Sequence, residues 1–491
     1  MDRFGAWAVV VATLVACSLR GASSALADEG QGPAPAPVVQ AQPPPARLPV
    51  EPKYELLRYL EDWAPVRCIP PCDRRDWSDR LKALDLGREG CAWVNVGGQV
   101  RGRFESWTDQ GFGAIPGSDN WGLLRARTHV DLHLGRHLRL FAEGLFADED
   151  GRDAGPRPID ENHGEIQNLY AEGSTAPSGS GLNAGAWVGR RELLFGKQRV
   201  ISPADWTNVR RSFQGAGAWL KGDGWRLDAF WTRPVLVDSD ELDEWDEGTE
   251  FAGAEAHVDL SGGRVLEAYG LYLHRDAATW QGVTGQEERW TLGVGSWGPI
   301  GSTRFDYDAE VAWQFGDFGD NSISAGMATV ELGWKPCVPC FEPRIALGAD
   351  WASGDHDGTG GDLGTYNQLF PTGHTWFGWA DLQARQNVVA ARLTATAKPT
   401  PKLFVRADLH RFWRAEESDA VYAASGAVLR APGGSAASYV ATELDLQAKY
   451  TIDRHWEVEA GYAHVWSGDF IQETGPSDDT DFWYLQVTFT F

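Results

Sequence analysis

The sequence lacks long apolar runs outside its N-terminus. A transmembrane helix needs roughly 20 consecutive and mostly apolar residues, and no run after residue 27 meets that requirement. A membrane-spanning helix is therefore excluded for the body of the chain. Residence in a membrane would have to rely on strands, which satisfy their backbone hydrogen bonds in lipid only as a closed barrel.

Basic residues are also scarce. Lys and Arg number 44 against 69 Asp and Glu, which gives a formal net charge of −25. This balance repels phosphates, so no nucleic-acid partner is predicted. The 11 histidines and the scattered serines form no nucleophile elbow or other catalytic spacing. A triad at a barrel rim would have to be recruited from His163, Asp355, His356 and His374. We predict no enzymatic activity and no cofactor.

Only 6 cysteines are present. With Cys17 of the N-terminal region set aside, Cys68 with Cys72, and Cys337 with Cys340, are close enough in sequence to form local disulfides in an oxidising periplasm, which leaves Cys91 as the odd residue. A zinc site could use the same residues, but neither pair has a nearby partner pair at finger-like spacing. The Cys337 and Cys340 pair also looks like a redox motif, yet it falls in a predicted turn, where a turn-locking disulfide is the favoured interpretation.

Carboxylates occur at calcium-like spacing in residues 148–153 and 355–358. Neither stretch has a convincing bidentate acid at the closing position of a calcium loop. Solvated loop charge is the favoured interpretation, and the acidic run at residues 238–250 is most simply an exposed extracellular loop. No metal is predicted.

Aromatic residues and glycine are abundant, with 24 Trp, 21 Phe, 12 Tyr and 57 Gly in 491 residues. A soluble core does not need so many tryptophans, whereas outer-membrane barrels place them in girdles at both membrane interfaces. The length exceeds that of one ordinary soluble domain but suits one large barrel. The composition therefore favours a barrel.

The N-terminal region is typical of a secreted protein. Residues 1–27 combine Arg3, a short apolar run and a small-x-small triplet, which predicts a cleaved signal peptide. An alternative is a lipobox at residues 14–17, with Cys17 lipidated after cleavage. Residues 28–53 are rich in Pro and Ala and are predicted to form a disordered linker.

A short periplasmic segment is predicted between this linker and the barrel, over residues 54–92. Residues 54–63 read YELLRYLEDW and residues 76–84 read DWSDRLKAL. Both stretches are helical candidates, the second with Asp76 or Ser78 as a cap.

The end of the chain, residues 481–491, has a strict two-residue period. It reads DFWYLQVTFTF, so an extended strand would carry one apolar face and one largely polar face. The apolar parity consists of Trp483, Leu485, Val487, Phe489 and Phe491. A strand ending at an aromatic residue resembles the C-terminal signal of bacterial outer-membrane barrels. Taken alone, the stretch also suits the last strand of a soluble β-sandwich.

From residue 93 onward, period-2 segments alternate with breaks that are in turn short and long. In residues 304–315 the apolar parity opposes Arg304, Asp306, Asp308 and Glu310, a charge density that cannot lie inside a dry core. These charged residues are predicted to face water on the wall of a barrel lumen. The pattern predicts an all-β fold, a transmembrane antiparallel β-barrel of about 18 strands over residues 93–491, with its last strand closing against residues 94–105. Strands around residues 186–194 and 373–392 are poorly patterned.

Several motifs resemble the alginate export porin family. They are EDW at residues 61–63, GGQVRGRFE at 97–105, GRRELLFG at 189–196, NVRRSF at 208–213, LGTYNQLFP at 363–371 and GYAH at 461–464. The resemblance covers roughly residues 54–491. It implies an outer-membrane barrel of eighteen strands that passes an anionic exopolysaccharide outward through an arginine-lined constriction.

The physical requirement for such a pore is positive charge spread over several weak sites, because one tight site would hold the polymer. Planar guanidinium groups suit carboxylates. In the motif at residues 189–196, Arg190 occupies the position that the resemblance assigns to the pore, and Arg191 points to the opposite face. Candidate residues of the substrate path are Arg101, Arg103, Arg125, Arg127, Arg190, Arg199, Arg210, Arg211, Arg226, Asp228, Arg304, Arg344, Arg392 and Arg406.

Acids share the same predicted wall, including Glu105, Asp131, Asp308 and Glu310. Wall arginines could therefore pair with acids across neighbouring strands and serve only to solvate and stiffen the barrel. Arg199, Arg210 and Arg211 flank a loop that could fold inward and narrow the lumen.

The sequence thus predicts an outer-membrane channel for passive export or diffusion of an anionic, alginate-like exopolysaccharide or of small anionic solutes. The alternatives are a general or sugar-selective porin and, third, a surface adhesin or receptor. The expected partners are outer-membrane lipid, the anionic polysaccharide and a periplasmic export machinery. The expected location is the bacterial outer membrane.

Overall fold

A computed structural model describes residues 52–70, 74, 76–87, 91–175, 181–338, 340–357 and 361–491. The predicted signal peptide, residue Cys17 and nearly all of the predicted linker lie outside the described residues. None of the helices within the described ranges is long and apolar enough to cross a bilayer.

The described chain folds into a closed antiparallel barrel of 18 long strands. Consecutive strands pair along the chain, and the last strand pairs with the first, so no sheet edge is left open. The strands are β1 (Ala92–Asp109), β2 (Ile115–Leu134), β3 (Leu138–Asp150), β4 (Asn162–Ser174), β5 (Asn183–Arg191), β6 (Phe213–Gly222), β7 (Trp225–Leu236), β8 (Thr249–Leu260), β9 (Arg264–Trp280), β10 (Val283–Pro299), β11 (Phe305–Phe318), β12 (Asn321–Trp334), β13 (Arg344–Ala352), β14 (Val388–Thr400), β15 (Leu403–Trp413), β16 (Tyr439–Thr451), β17 (Trp456–Ser467) and β18 (Thr480–Thr490).

Closure of the barrel follows the register predicted for the final strand. Gln99 of β1 faces Thr490 of β18, and Phe491 exchanges two backbone hydrogen bonds with Gly98, both of 2.9 Å. Trp483 and Leu485 point outward and are exposed, whereas Phe482 and Tyr484 point inward and are buried. The predicted parity of this strand is confirmed.

The same alternation runs along β11. Val311, Trp313 and Phe315 are exposed on the outer surface, while Asp308 and Glu310 are buried on the lumen side. An apolar outer surface and a charged interior are what a barrel in lipid requires. Charged residues buried in a lumen need partners, and these come from neighbouring strands and from chain segments folded into the lumen.

The N-terminal segment departs from the prediction. In place of helices over residues 54–63 and 76–84, it has three short 3-10 helices, Arg58–Leu60, Ala64–Cys68 and Ser78–Leu81. Barrel arginines explain this: Arg139 donates to the Tyr59 carbonyl at 2.7 Å and Arg210 to the Leu56 carbonyl at 3.2 Å. An α-helix would use these carbonyls internally.

This segment also lies within the periplasmic end of the barrel rather than in front of it. The ring of Tyr59 packs edge-on against Phe141 and Tyr170 of the inner wall, at centroid distances of 6.0 and 5.8 Å. Its hydroxyl donates to the Glu192 carbonyl at 2.7 Å. The segment therefore narrows the lumen from below.

Two extracellular connections fold into the lumen from the opposite side. One is residues 192–212, between β5 and β6, and we call it the first inserted loop. The other comprises residues 353–357 and 361–387, between β13 and β14, and we call it the second inserted loop. The strand predicted around residues 373–392 is wrong over its first part: those residues belong to the second inserted loop, and β14 begins at Val388.

Candidate functional site in the lumen

The two inserted loops are joined across the barrel. The Ser202 amide donates to the Phe370 carbonyl at 2.8 Å, and the Phe370 amide donates to the Val200 carbonyl at 3.0 Å. Val200 and Ile201 are buried. Apolar side chains in an extracellular loop gain from leaving water, which favours the inward position of this segment.

The loop backbone is strained where it crosses the lumen. Gln198, Ala204 and Leu369 have positive φ angles of 62°, 53° and 59°. Non-glycine residues in this region cost of order 1 kcal/mol each and persist only where surrounding contacts hold them. The inserted position is therefore maintained by contacts with the wall rather than by local preference.

Three wall arginines provide those contacts. Arg101 donates to the carbonyls of Asp205 and Thr207, at 2.7 and 2.8 Å. Arg103 donates to the Trp206 carbonyl at 2.7 Å. Arg125 donates to the carbonyls of Asp205 and Thr207, at 3.0 and 3.1 Å. The tip of the first inserted loop, residues 205–207, thus presents its carbonyl oxygens to a row of buried guanidinium groups on β1 and β2.

The side chains of this tip are held as firmly. The Asp205 carboxylate lies 2.9 Å from Arg125 and 2.6 Å from Arg210. Burial disfavours the charged carboxylate, but Arg125 and Arg210 outweigh it and hold the pKa of Asp205 well below its usual range. Arg103 stacks on the Trp206 ring at 3.8 Å, and His374 of the second loop stacks on the same ring at 3.8 Å.

Acids partly neutralise this row. Arg127 lies 2.9 Å from Glu143, and Arg210 lies 2.8 Å from Glu192. Arg101, Arg103, Arg125, Arg127 and Arg210 form what we call the arginine cluster; its nearby acids are Glu105, Glu143, Glu192 and Asp205.

Arg211 differs from the arginine cluster. It donates to the carbonyls of Ser202 and Pro371, at 3.2 and 3.3 Å, and forms no ion pair within the described part of the chain. Burial lowers its pKa to about 10. Arg211 therefore joins the backbones of the two inserted loops.

On the other side of the lumen, the predicted arginines pair with acids. Arg199 lies 3.0 Å from both Asp308 and Glu310. Arg344 bridges Asp306 and Glu331, each at 2.6 Å, and Arg392 reaches Glu331 at 2.5 Å. Arg406 pairs with Asp408, and Arg226 with Asp228, each at 2.5 Å. For these residues the pairing of wall arginines with acids is observed.

Two predicted residues lie apart from the other candidates. Arg190 has the parity of the outward-facing Val188, and its guanidinium bonds Glu165 and, at 2.7 Å, the Asp243 carbonyl of an extracellular loop. Strand alternation turns Arg191 inward, where its guanidinium lies 4.2 Å from the centre of the Tyr59 ring. Strand parity favours Arg191 over Arg190 as the lumen residue, and a pore role for Arg190 stays a prediction. Arg304 lies exposed in the periplasmic turn before β11.

Other residues at the site were not predicted. Arg385 of the second inserted loop lies 2.7 Å from Asp350 and is buried. Tyr59 was assigned to a separate periplasmic segment. Because loops do not follow the strand period, the sequence carries no signal for the direction in which their side chains point.

Two cavities flank the inserted loops. The periplasmic cavity has a volume of about 430 Å³ and includes Trp297, Tyr307, Trp376, Lys197 and Arg344 in its wall. The extracellular cavity has a volume of about 320 Å³ and includes Arg275, Trp280, Asn367, Gln368 and Tyr422. Both combine aromatic rings with hydrogen-bonding groups.

The predicted disulfide between Cys337 and Cys340 is not formed in the described part of the chain. Cys337 and Cys340 are both free and exposed. Cys68 is also free and exposed, and its predicted partner Cys72 lies outside the described residues.

Comparison with known proteins gives one family. The family model described as alginate export matches residues 92–485. No curated protein matches the sequence.

Several solved structures share the fold. OccD3 (OpdP) of Pseudomonas aeruginosa is 14% identical, with a TM-score of 0.53 over 81% of this chain and 91% of that chain. OccAB1 of Acinetobacter baumannii is 11% identical, with a TM-score of 0.53 over 81% of this chain and 96% of that chain. OccK2 (OpdF) of P. aeruginosa in complex with glucuronate is 12% identical, with a TM-score of 0.51 over 81% of this chain and 98% of that chain.

Proposed function

Because this chain belongs to the alginate export family and forms an outer-membrane barrel, we propose that it conducts an anionic, uronate-rich polysaccharide outward by passive diffusion. The chain is an outer-membrane channel for alginate or other anionic solutes. The proposal adds the direction of transport, the polymeric substrate and the residues that contact it.

The arginine cluster is the observation that carries the proposal. Arg101, Arg103 and Arg125 bond backbone carbonyls of the first inserted loop. These carbonyls and the Asp205 carboxylate stand where the carboxylates and hydroxyls of a uronate chain would bind. When the loop tip leaves, these guanidinium groups lose their bonds to the loop and can donate hydrogen bonds to the polymer, although Arg103 keeps its ion pair with Glu105. Planar guanidinium forks bind carboxylates at two points.

A row of such groups suits a sliding polymer. Arg101 and Arg103 lie two residues apart on β1, and Arg125 and Arg127 repeat that spacing on β2. Alternate strand residues share a face at roughly 6.5–7 Å intervals. A uronate chain can therefore exchange one arginine for the next without losing all its charge contacts at once, as conduction requires.

The periplasmic cavity is the proposed entrance. Its wall has an excess of cations over acids and includes the Trp376 ring; the charged residues are Lys197, Lys335, Arg344, Arg392 and Arg406 against Asp306, Asp308 and Glu331. Cations there attract a polyanion, and an aromatic ring packs against the apolar face of a sugar ring. A periplasmic export machinery that delivers the polymer to this entrance stays a prediction.

A second candidate substrate is a small anionic solute such as a uronate monomer. The two cavities, of about 430 and 320 Å³, are large enough for a monosaccharide. OccK2, which shares the fold, has been solved in complex with glucuronate.

Current block in planar bilayers tests the proposal. We expect polyuronate added on the periplasmic side to block the ion current, while a neutral glucan of equal length does not. The uronate monomer should block the current much less at equal uronate concentration, because a monomer binds only one arginine site at a time. Equal block by monomer and polymer would favour the small-solute function, and block by the neutral glucan alone would favour a sugar-selective porin.

A further inference from the structure

Four ionisable side chains lie together on the inner wall between β15 and β16. Asp408 faces Asp445 across the strand pair, and His410 faces Glu443. Alternate strand residues point to the same face, so the four side chains share one inward patch. Their exposed fractions are 1% for Asp408, 2% for His410 and 0% for both Glu443 and Asp445.

The acids of this patch are not fully satisfied by protein groups. Asp408 pairs with Arg406 at 2.5 Å and accepts a hydrogen bond from Thr394 at 2.5 Å. In contrast, neither carboxylate oxygen of Asp445 has a hydrogen bond of normal geometry within the described residues, although the Trp379 amide lies near. The Asp445 carboxylate lies 3.3 Å from Nε2 of His410.

Glu443 is only half satisfied. One of its oxygens accepts a hydrogen bond from the Ala380 amide at 2.8 Å, and the other has no N–H or hydroxyl donor among the described residues. The Glu443 carboxyl group also lies within hydrogen-bond range of the Asp445 carboxyl group. With all three carboxylates ionised and His410 neutral, the one arginine would leave two negative charges uncompensated. Burying unpaired charge costs several kcal/mol, so the patch requires either a bound cation or a proton shared between Glu443 and Asp445.

The donor atoms are arranged to hold one. Ligand atoms of Asp408, His410 and Asp445 all lie within 4.8 Å of one another. A tetrahedral ion with bonds of 2.0–2.2 Å requires its ligands to lie roughly 3.3–3.6 Å apart, so small side-chain movements are sufficient. One imidazole with two or three carboxylates suits a first-row transition ion such as Zn²⁺ better than Ca²⁺ or Mg²⁺, which prefer oxygen ligands alone.

We propose that Asp408, His410 and Asp445 bind one divalent transition-metal ion, with Glu443 beside it as a third acidic group. The ion would join β15 to β16 and neutralise the patch. Glu443 also bonds the Ala380 amide of the second inserted loop, so the ion would support that loop in its inward position. The wall of the periplasmic cavity includes Thr394 and Arg406, the two residues that bond Asp408.

A second acidic group provides a matched control. Asp148, Glu161 and His163 also bring ligand atoms within 4.8 Å of one another. This group lies near the extracellular end of β3 and β4, and His163 is exposed. None of its side-chain atoms is a buried atom without a partner.

The experiment is metal retention by the full barrel in detergent. Protein stripped with EDTA is loaded with Zn²⁺, dialysed and measured for bound zinc, and Co²⁺ loading gives an absorption spectrum that reports imidazole ligation. We expect one zinc per barrel in the wild type and in His163→Ala. Asp445→Asn and His410→Gln should each weaken zinc binding by roughly 100-fold or more, since each removes a ligand.

Both variants preserve side-chain size, and heat-modifiable migration in gels shows whether the barrel is folded. If one variant fails to fold, the other is measured alone. If both variants retain zinc as the wild type does, the proposal is overturned. It is also overturned if His163→Ala loses zinc while the other two variants keep it. A wild-type barrel that retains no zinc would also overturn it, and would mean that Glu443 and Asp445 balance their charge by sharing a proton.

Discussion

Asp205→Asn tests whether the first inserted loop is held by charge. The change keeps the shape of the side chain and the carbonyl contacts to Arg101 and Arg103, but it removes the ion pairs with Arg125 and Arg210, at 2.9 and 2.6 Å. Breaking a buried pair costs about 3–5 kcal/mol. The Asp205 side chain is 37% exposed, and solvent screening reduces the loss to about 2–3 kcal/mol.

A loss of that size changes the ratio of inserted to released loop by roughly 30- to 150-fold. Single-channel recording in planar bilayers measures the result. We expect longer or more frequent open events and a shift of the reversal potential toward anions, because the variant also frees positive charge. Asp240→Asn is the matched control, since the Asp240 side chain is 85% exposed in an extracellular loop, and it should behave as wild type. If Asp205→Asn and Asp240→Asn give the same open probability and selectivity, charge does not hold the loop.

Three further predictions concern the wall, the N-terminal segment and barrel closure. Arg191→Ala should shift ion selectivity toward cations because Arg191 faces the lumen, whereas Arg190→Ala should leave the reversal potential unchanged. A shift in Arg190→Ala but not in Arg191→Ala would show that Arg190 lines the pore. Burial lowers the pKa of Lys82 to about 8, below its unfolded value. Docking of the N-terminal segment is therefore penalised below pH 8 and should strengthen as the pH rises toward 10. Proteolysis of the segment should slow over that range, and Lys82→Met should remove this pH dependence. Phe491→Lys places a charge on the outer face of β18 and should lower the folded yield in membranes more than the conductance of the barrels that form; a wild-type yield would contradict the assigned face.

The barrel itself could be predicted from the sequence because its rules are local. Side chains alternate with a period of two along each strand, and turns interrupt that period. The outward parity of Trp483 and the inward parity of Glu310 follow from this alone. Arg191 would have been placed correctly by the same rule.

The interior of the barrel could not be predicted in the same way. Arg101 bonds Asp205 more than a hundred residues away, and nothing in the sequence of either strand or loop specifies that contact. The direction of the two inserted loops depends on such long-range pairs. Likewise, residues 54–63 have a helical pattern, but hydrogen bonds from Arg139 and Arg210 to their carbonyls restrict the helix to the single 3-10 turn Arg58–Leu60.

The most direct test of polymer conduction is flux through proteoliposomes. Vesicles containing the barrel would be loaded with a fluorescent oligouronate or a neutral oligosaccharide of the same length, and release would be followed over time. We expect selective release of the oligouronate by the wild type. In an Arg101→Ala/Arg125→Ala double variant that folds normally, the preference for the oligouronate over the neutral oligosaccharide should fall at least tenfold, because the charge of the path is lost even though the loop tip is also freed. Equal release of both sugars by the wild type, or an unchanged preference in the double variant, would contradict an arginine-lined path for an anionic polymer.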